Sequence, residues 1–566
     1  VFYIKWVKRS NALIKEDSLI LEKLCVSRGI KPSKVGDWIN PSSKYLLNPY
    51  DLSNIDIAVT KIIKAIHQNK RIVVVSDIDT DGVCSTAIMF NYLKELTENI
   101  RFIHAQRSDG HGLETVLHLL EDSDDLIVVV DSSTNSTEAC KTIVEQGKEI
   151  IIIDHHISDR PNEYATIVNC QIGEYANKNL SGSAMCLKVC QVLDEYLGIE
   201  QSDMYWDLAT IGMIADMMDM SVMENRYIAN MGLNEIHNKG IKMILTMSNT
   251  DFTNGITSTD ISFLIAPMLG ASSRFDKIEL ALQALTTEND DVLKEIIKSL
   301  IVLNDDRKTL QKKIIDEIID NQESHEDNIV IIVDNSIDSG FRGLIATGLV
   351  EEYNKPCFVF SEYINDDGIT EYRGSARGIG SIKLKSLCTK SGLVDLAQGH
   401  EPAFGIWIKK EKIQDFINYF NECLIKDDMQ KVFEYDAEVY IDEITDIDIK
   451  QVEKFSRISG HNFPEPKFRI KNIVIEEGHT SKLGEHVRAV LGKNKETIKL
   501  YAENNFVLLK FRSSEDYAKD IEEHFHNNLV TEIEVIGTLS INKFYNWGLK
   551  KYVVTNQIFI DDYKIN

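Results

Sequence analysis

Asp77, Asp79 and Asp81 stand two residues apart in RIVVVSDIDTDG (residues 71–82), where a solid apolar run breaks into three acids and closes on a glycine. Carboxylates crowded this closely repel one another, and a bound cation relieves the repulsion. The device returns twice. LIVVVDSS (126–133) carries Asp131, and EIIIIDHH (149–156) ends on Asp154, His155 and His156. A further acid, Asp216, interrupts the apolar helical segment DLATIGMIADMMDM. Oxygen donors joined by imidazole are the ligands of a divalent cation, whose chemistry is that of a Lewis acid.

The elements that must position these residues follow from the pattern. Each acid or histidine group ends an apolar run that reads as a buried strand of a parallel sheet. VCSTAIMFNYLKEL and STEACKTIVEQG between the runs read as amphipathic crossover helices, so the predicted fold class is α/β. In such folds ligands bind in the crevice at the carboxyl ends of the strands, where the three tips converge.

Two other readings of the acids fail. An EF-hand loop beginning at Asp77 would need a bidentate glutamate at its twelfth position, where Ile88 stands, and a helix before it instead of a strand. Capping of the helix that begins near Val83 explains one aspartate but not three. Adjacent histidines at a strand end are expected to point in opposite directions, so that one coordinates while the other faces a phosphate or water.

Composition sets the outer limits. A chain of 566 residues with 43% hydrophobic and 27% charged residues reads as an ordinary soluble protein of three or four domains. No apolar run approaches the ~20 residues that span a bilayer, and the amino terminus lacks the layout of a secretory signal, so the expected location is the cytoplasm, with no membrane partner. Nine cysteines without paired spacing read as reduced core residues; Cys186 and Cys190 are one helical turn apart. The formal charge of −26 speaks against a nucleic-acid partner over the surface as a whole. A local basic groove, or metal ions held by the carboxylates, reverses that sign within a cleft.

The order of DxD, a later aspartate, Asp-His-His and a helical aspartate resembles the DHH phosphoesterase superfamily. FIHAQRSDGHGL (102–113), IAPMLGASSRF (265–275), RGLIATGLVEEYNKPCFVF (342–360), YRGSARGIG (372–380), AQGHEPAFG (397–405) and SGHNFPEPKF (459–468) are similar, in order and spacing, to the RecJ-type single-strand-specific 5′ exonucleases. The resemblance implies that Asp79, Asp81, Asp131, His155 and Asp216 hold two ions, with Asp131 bridging, and that Asp77 stands where that family also carries an acid. An oxygen-rich shell with one imidazole suits Mn2+ or Mg2+ better than zinc. By the same resemblance His156 orients the scissile phosphate and Asp154 holds a histidine ring, which with Asp131 forms the catalytic set. Arg107, Ser375 and Arg377 are implied to grip the 5′ end, and Arg274 the backbone nearer the metals. His111, Arg373 and His400 complete the implied substrate contacts; Gln398 stands where the first glycine of the histidine's motif is usual. SGSAM (181–185) opens a helix whose amides could meet phosphate or be capped by Ser181.

Five regions are expected: a helical lead-in (1–50), a metal-binding catalytic domain (51–235), a helical linker containing a long connecting helix (236–327), a DHH-associated substrate-binding domain (328–428) and an OB-like β-barrel (429–566). Phe506, Phe511, Phe544, Tyr545 and Trp547 interleave with Lys499, Lys510, Arg512, Lys543, Lys550 and Lys551 there, a pattern suited to single strands. The implied activity is 5′-to-3′ hydrolysis of single-stranded DNA to mononucleotides in repair and recombination. A single-strand-binding protein or a helicase is the expected protein partner, and the chain is expected to be a monomer. The alternatives are a small-substrate phosphodiesterase of the nanoRNase or cyclic-dinucleotide type and a non-enzymatic replication scaffold; a family II pyrophosphatase would lack the RGSARG and QGHEPAFG features.

Overall fold

The apolar run before Asp77 forms a strand buried at every residue, as does the run before Asp131. In the computed structural model the described residues are 4–10, 12, 18–107, 110, 112–321, 327–365, 367–380, 382–425, 429–474, 497–502, 506–511, 532–546 and 550–565. They fall into two compact units: Ser42–Gln430 with Gly460–Asn462, and Val1–Pro41 with Lys431–Ser459 and Phe463–Asn566.

The larger unit opens with α1 (Ile55–His67), followed by β1 (Ile72–Ser76), α2 (Thr80–Lys94), β2 (Ile100–His104), β3 (Leu126–Val130), α3 (Thr137–Glu145), β4 (Glu149–Asp154) and β5 (Thr166–Asn169). The five strands are parallel, in the order β2-β1-β3-β4-β5. The chain leaves β1 for one side and returns to the other at β3. That reversal makes the carboxyl end of β1 the crevice where α/β sheets bind ligands, and Asp77 sits there.

Helices α4 (Gly182–Leu197), α5 (Trp206–Ala215) and α6 (Met223–Asn234) complete this lobe. Lys188 and Glu224, both almost wholly buried, pair at 2.7 Å between α4 and α6. Tyr175, Asn177 and the Leu47 amide also donate to Glu224, and Lys188 donates to the Leu47 carbonyl. Burial here is tolerated because each charge is hydrogen-bonded. Helix α7 (Ala266–Arg274) is preceded by a π-helical turn, Ile261–Ile265. Pro267 lacks the amide an α-helix would use at that point, and the wider turn absorbs the loss.

The long helix expected from the sequence is α8 (Asp290–Asn321), with Leu293, Ile297 and Leu300 buried. Beyond it β6 (Val330–Val333), α9 (Ser339–Tyr353), β7 (Cys357–Ile364), β8 (Thr370–Arg377), α10 (Leu384–Ser391), β9 (Val394–His400), β10 (Ala403–Lys409) and α11 (Ile413–Cys423) form a second α/β layer. Its sheet runs β9-β10-β8-β7-β6, with only β6 and β7 parallel. One face packs Phe358, Phe360, Phe404 and Ile406 against Phe416 and Phe420 of α11. The other packs Cys357 and Val359 against Phe341, Ile345 and Leu349 of α9.

In the smaller unit, the first residues, expected to be a helical lead-in, hold a strand as well as helices: Ile4–Lys8 pairs in parallel with Lys431–Tyr435. Helix Ile20–Ser27 follows, and Arg28 binds the buried Asp436 through Nε and Nη2 at 2.8 and 2.9 Å. This distant pairing is invisible to local pattern reading. The remaining strands form one mixed six-stranded sheet in the order Ala437–Tyr440, Phe468–Val474, Glu532–Asn546, Lys551–Ile565, Phe506–Phe511, Thr497–Ala502. Its end strands do not pair with each other among the described residues, so closure into a barrel stays a proposal. Phe506 is buried and fills the core, Lys510 donates to the Asp561 carbonyl, and Trp547 and Arg512 lie outside the described residues. No helix among the described residues is long and apolar enough to cross a membrane.

Candidate metal centre

Each acid is placed by a backbone feature of its own. Asp77 follows β1, and a Cβ at Gly82 would fall 2.7 Å from its Cβ, so the glycine of the DTDG turn lets α2 begin against the strand end. Asp79 caps α2 by accepting from the Gly82 amide at 3.0 Å. Asp81, 1% exposed, accepts from the Gly182 and Ser183 amides at 2.7 and 3.1 Å, at the start of α4. The amides of SGSAM therefore serve an acid of the centre and not a phosphate, while Ser181 caps Ala184. Any side chain at Gly182 would strike Asp131, and any at Gly212 would strike Asp81. The local pattern assigns neither glycine this packing role; for Gly212, a glycine inside an apolar helix next to acids was the available signal.

Asp131 adopts φ 61, the left-handed region that aspartate and asparagine tolerate best among residues with a Cβ. Its amide donates to the Ile153 carbonyl at 2.8 Å, which swings the carboxylate into the crevice. One ligand atom each from Asp131, Asp154, His155 and His156 lies within 4.8 Å of the others. The same closeness joins Asp81, His155 and Asp216, and again Asp77, Asp79 and Asp131. His155 Nε2 stands 3.2 Å from Asp131 and 3.4 Å from Asp216.

The two histidines do not point in opposite directions. Their rings lie side by side, centroids 4.5 Å apart. Strand β4 stops at Asp154, whose Oδ1 accepts both histidine amides and His156 Nδ1, so strand alternation no longer applies. Thr134 donates to the other oxygen of Asp154 through its amide and its hydroxyl. These hydrogen bonds hold Asp154 below the usual carboxylate range despite its burial, and its contact raises His156 to about 9. Burial and the neighbouring His156 lower His155, which favours the neutral ring that a metal needs.

Burial and mutual repulsion push Asp77 and Asp216 up to about 8 and raise Asp131 as well. One oxygen of each of these three is buried without a hydrogen-bond partner among the described residues. Orphaned carboxylate oxygens converging beside a neutral imidazole fit Mn2+ or Mg2+. The folded pKa values of Asp77 and Asp216 exceed their ordinary value of 3.8, so their favourable contribution is full below about pH 4 and is lost as pH rises toward 8. His156 acts in the same direction from 6.5 to about 9. Chelator-treated protein should therefore melt at a lower temperature at pH 8 than at pH 5.5, and Mn2+ should raise the melting temperature more at pH 8. An equal Mn2+ effect at both pH values in calorimetry would refute the cluster.

Cations gather beside this centre. Helix α7 begins at Ala266, whose carbonyl lies 3.4 Å from the hydroxyl of Thr80, between Asp79 and Asp81, and ends at Arg274. Arg274 binds the Gly340 carbonyl, and Arg107 reaches Ser273 at 3.2 Å. A Cβ at Gly340 would sit 3.4 Å from Arg107 Cδ, and one at Gly343 2.5 Å from Arg377 Nη2, so glycines of α9 make room for the guanidinium groups. Burial and repulsion from Arg107, Arg307 and Arg377 lower Arg274 to about 9. Arg307 was missed because α8 read as a solvated connector; the one arginine among its lysines was the signal.

Ser375 lies two residues from Arg377 on the same face of β8, and His400 ends β9 within the influence of His156 and His461. Arg373 is engaged elsewhere: its guanidinium is 3.6 Å from the Tyr363 ring centroid and 4.2 Å from that of Trp407, and it pairs with Glu371 at 2.9 Å. His111 lies outside the described residues.

Comparison with known proteins agrees with this arrangement. Residues 71–215 match the N-terminal domain of the DHH family. RecJ of Bacillus subtilis, a single-stranded-DNA-specific exonuclease, is 27% identical over 93% of this chain and 66% of its own length. YorK, a B. subtilis protein of SPbeta prophage origin provisionally named a single-strand DNA-specific exonuclease, is 27% identical over 93% of both chains. The crystal structure of Thermus thermophilus RecJ with Mn2+ superposes with a TM-score of 0.74 at 19% identity, over 99% of this chain and 80% of that one. Residues 71–215, the strand-tip domain that carries the acids, are thus similar to the N-terminal domain of the DHH family, within a chain similar to RecJ along nearly its whole length.

Proposed function

We propose that the protein is a Mn2+- or Mg2+-dependent exonuclease that removes mononucleotides from the 5′ end of single-stranded DNA in repair and recombination. The observation that carries this reading is helix α7, which touches Thr80 between two acids of the centre at one end and carries Arg274 among the arginines at the other. The eight rises from Ala266 to Arg274 span on the order of 12 Å. A strand whose terminal phosphate is held by the arginines thus meets the carboxylates at a set distance from its end, and cleavage falls at a fixed position.

The ions would be held by Asp77, Asp79, Asp81, Asp131, His155 and Asp216, and would supply Lewis-acid activation of water and of the phosphodiester. His156, kept protonated by Asp154, donates to a phosphate oxygen and balances its charge. Arg107 and Arg377 bind the 5′ phosphate with Ser375, Arg274 contacts the backbone nearer the metals, and His111 and His400 complete the contacts. Convergence of all the expected acids speaks against a non-enzymatic scaffold. We retain the five-part domain division, with residues 429–566 as the strand-holding module. We also propose action as a monomer in the cytoplasm, supplied with strands by a single-strand-binding protein or a helicase.

With 5′-labelled single strands and Mn2+, labelled mononucleotide should appear first, and interior cuts would contradict the reading. Arg377→Ala should lower the preference for a 5′-phosphorylated over a 5′-hydroxyl end by about ten-fold or more, the worth of a charge-assisted contact.

A further inference from the structure

The sheet of the second layer keeps part of one face open. Along β10 the residues Phe404, Ile406 and Ile408 are buried, while Ala403, Gly405 and Trp407 alternate toward the opposite face. The register places Cys357, Arg377, Ala403 and His400 in one cross-strand row, Val359, Ser375, Gly405 and Gln398 in the next, and Ser361, Arg373, Trp407 and Leu396 in the third. Helix α9 packs on Cys357 and Val359, at the β7 end of these rows. The other end is an open floor.

That floor has three properties. Its first row carries Arg377 of the arginine cluster. Its middle row is small and polar: a Cβ added at Gly405 would meet only backbone oxygens, at 3.8 and 4.0 Å, so the space above it is unfilled. Its third row ends in a stack in which the Arg373 guanidinium lies between Tyr363 and Trp407. Glu371 fixes that guanidinium from the side at 3.0 Å from Nε. Tyr363 and Trp407 nevertheless stay 44% and 38% exposed. Across the sheet Trp407 comes between Arg373 and Leu396 of the edge strand, so these two border the indole within the row and its 38% exposure lies above the floor.

A rigid, half-exposed indole beside an empty floor, one row beyond Ser375 and two beyond Arg377, has the dimensions of a nucleotide. Rows two residues apart along a strand are separated by about 7 Å, so the step from the Ser375 row to Trp407 is close to the reach from a 5′ phosphate to its own base, with the Arg377 row about 7 Å further on the phosphate side. We infer that Trp407 is a stacking platform for the base of the 5′-terminal nucleotide, held rigid by Arg373 and Tyr363, with Gly405 leaving room for the ring. The inference rests on the strand-hydrolysis reading and adds to it a contact to the base. Arg373 thereby acts as a positioning residue for Trp407.

The probe is a short 5′-phosphorylated oligothymidylate whose first base is 2-aminopurine, bound in Mn2+ to the Asp131→Asn protein so that it is not cut. Binding should quench the 2-aminopurine. Adding Trp407→Ala should abolish the quench and weaken binding about ten-fold, as expected for a lost base–aromatic stack, whereas Trp407→Phe should keep most of both. Removing the terminal base should weaken binding to the Asp131→Asn protein about ten-fold and should not weaken binding further once Trp407 is alanine. If the alanine variant still separates the abasic from the intact end by the same ratio, or the quench persists, the platform is refuted. Hydrolysis of labelled strands by the unsubstituted protein is measured alongside: cleavage with a negative Trp407 result removes the platform alone, and neither cleavage nor binding removes both readings.

Discussion

Asp131→Asn should lower the rate of strand hydrolysis at least about a thousand-fold while leaving strand binding measurable. The acid lies at the meeting of two ligand groups, beside Asp77 and Asp79 on one side and Asp154, His155 and His156 on the other. Metal-centred stabilisation of the reacting phosphate is worth several kcal/mol, and each ~1.4 kcal/mol lost is a factor of ten. Asparagine is the informative replacement because position 131 has φ 61, which asparagine accepts and alanine resists. The fold should survive, since the change removes a buried charge that its neighbours repel. Single-turnover hydrolysis and fluorescence anisotropy on the same oligonucleotide separate the two effects. Turnover within ten-fold of the original protein would rule out Asp131 as a metal ligand.

Lys188→Met carries the largest expected effect on stability. Glu224 would keep its bonds from Tyr175, Asn177 and Leu47 but lose the only cation paired with it among the described residues. An uncompensated buried carboxylate costs about 3–5 kcal/mol. Because burial lowers the pKa of Lys188, its charge depends on Glu224 as much as the reverse. Adding Glu224→Gln should therefore restore part of the loss, since the amide oxygen can keep the bonds from Leu47 and Tyr175 and the buried charge is gone, while the bond from Asn177 to the other oxygen is given up. Urea unfolding of the single and double variants measures this, and a double variant less stable than Lys188→Met would show that the pair is not the source.

The strand tips of the metal lobe were legible because they obey a local rule: a continuous apolar run is buried on both faces, and polar residues at its end must lie at the edge of the sheet. Asp77, Asp131 and Asp154 follow directly from it. The long helix α8 was legible for a similar reason, since an apolar stripe at helical spacing has no alternative use. The divalent-ion chemistry came with them, because oxygen donors dominate the tips.

What depended on distant residues was not legible. Thr134, twenty residues earlier, fixes Asp154, which turns the backbone after β4, and the two imidazoles come together instead of alternating. Arg373, read as a phosphate ligand from RGSARG, is captured by Tyr363, Trp407 and Glu371, two of which lie ten or more residues away in the sequence. Arg307 joins the arginines only because α8 packs beside α7. Residue types and their local spacing state which atoms can bind a cation or an anion, and that much the sequence determined alone. Which of those atoms meet is decided by strand register and helix packing, whose energy is spread over contacts between segments far apart in the chain. Hence the acidic cluster at the strand tips was readable in advance, and the separation of Arg373, held by aromatic rings, from the cluster of Arg107, Arg274 and Arg377 was settled by the tertiary structure.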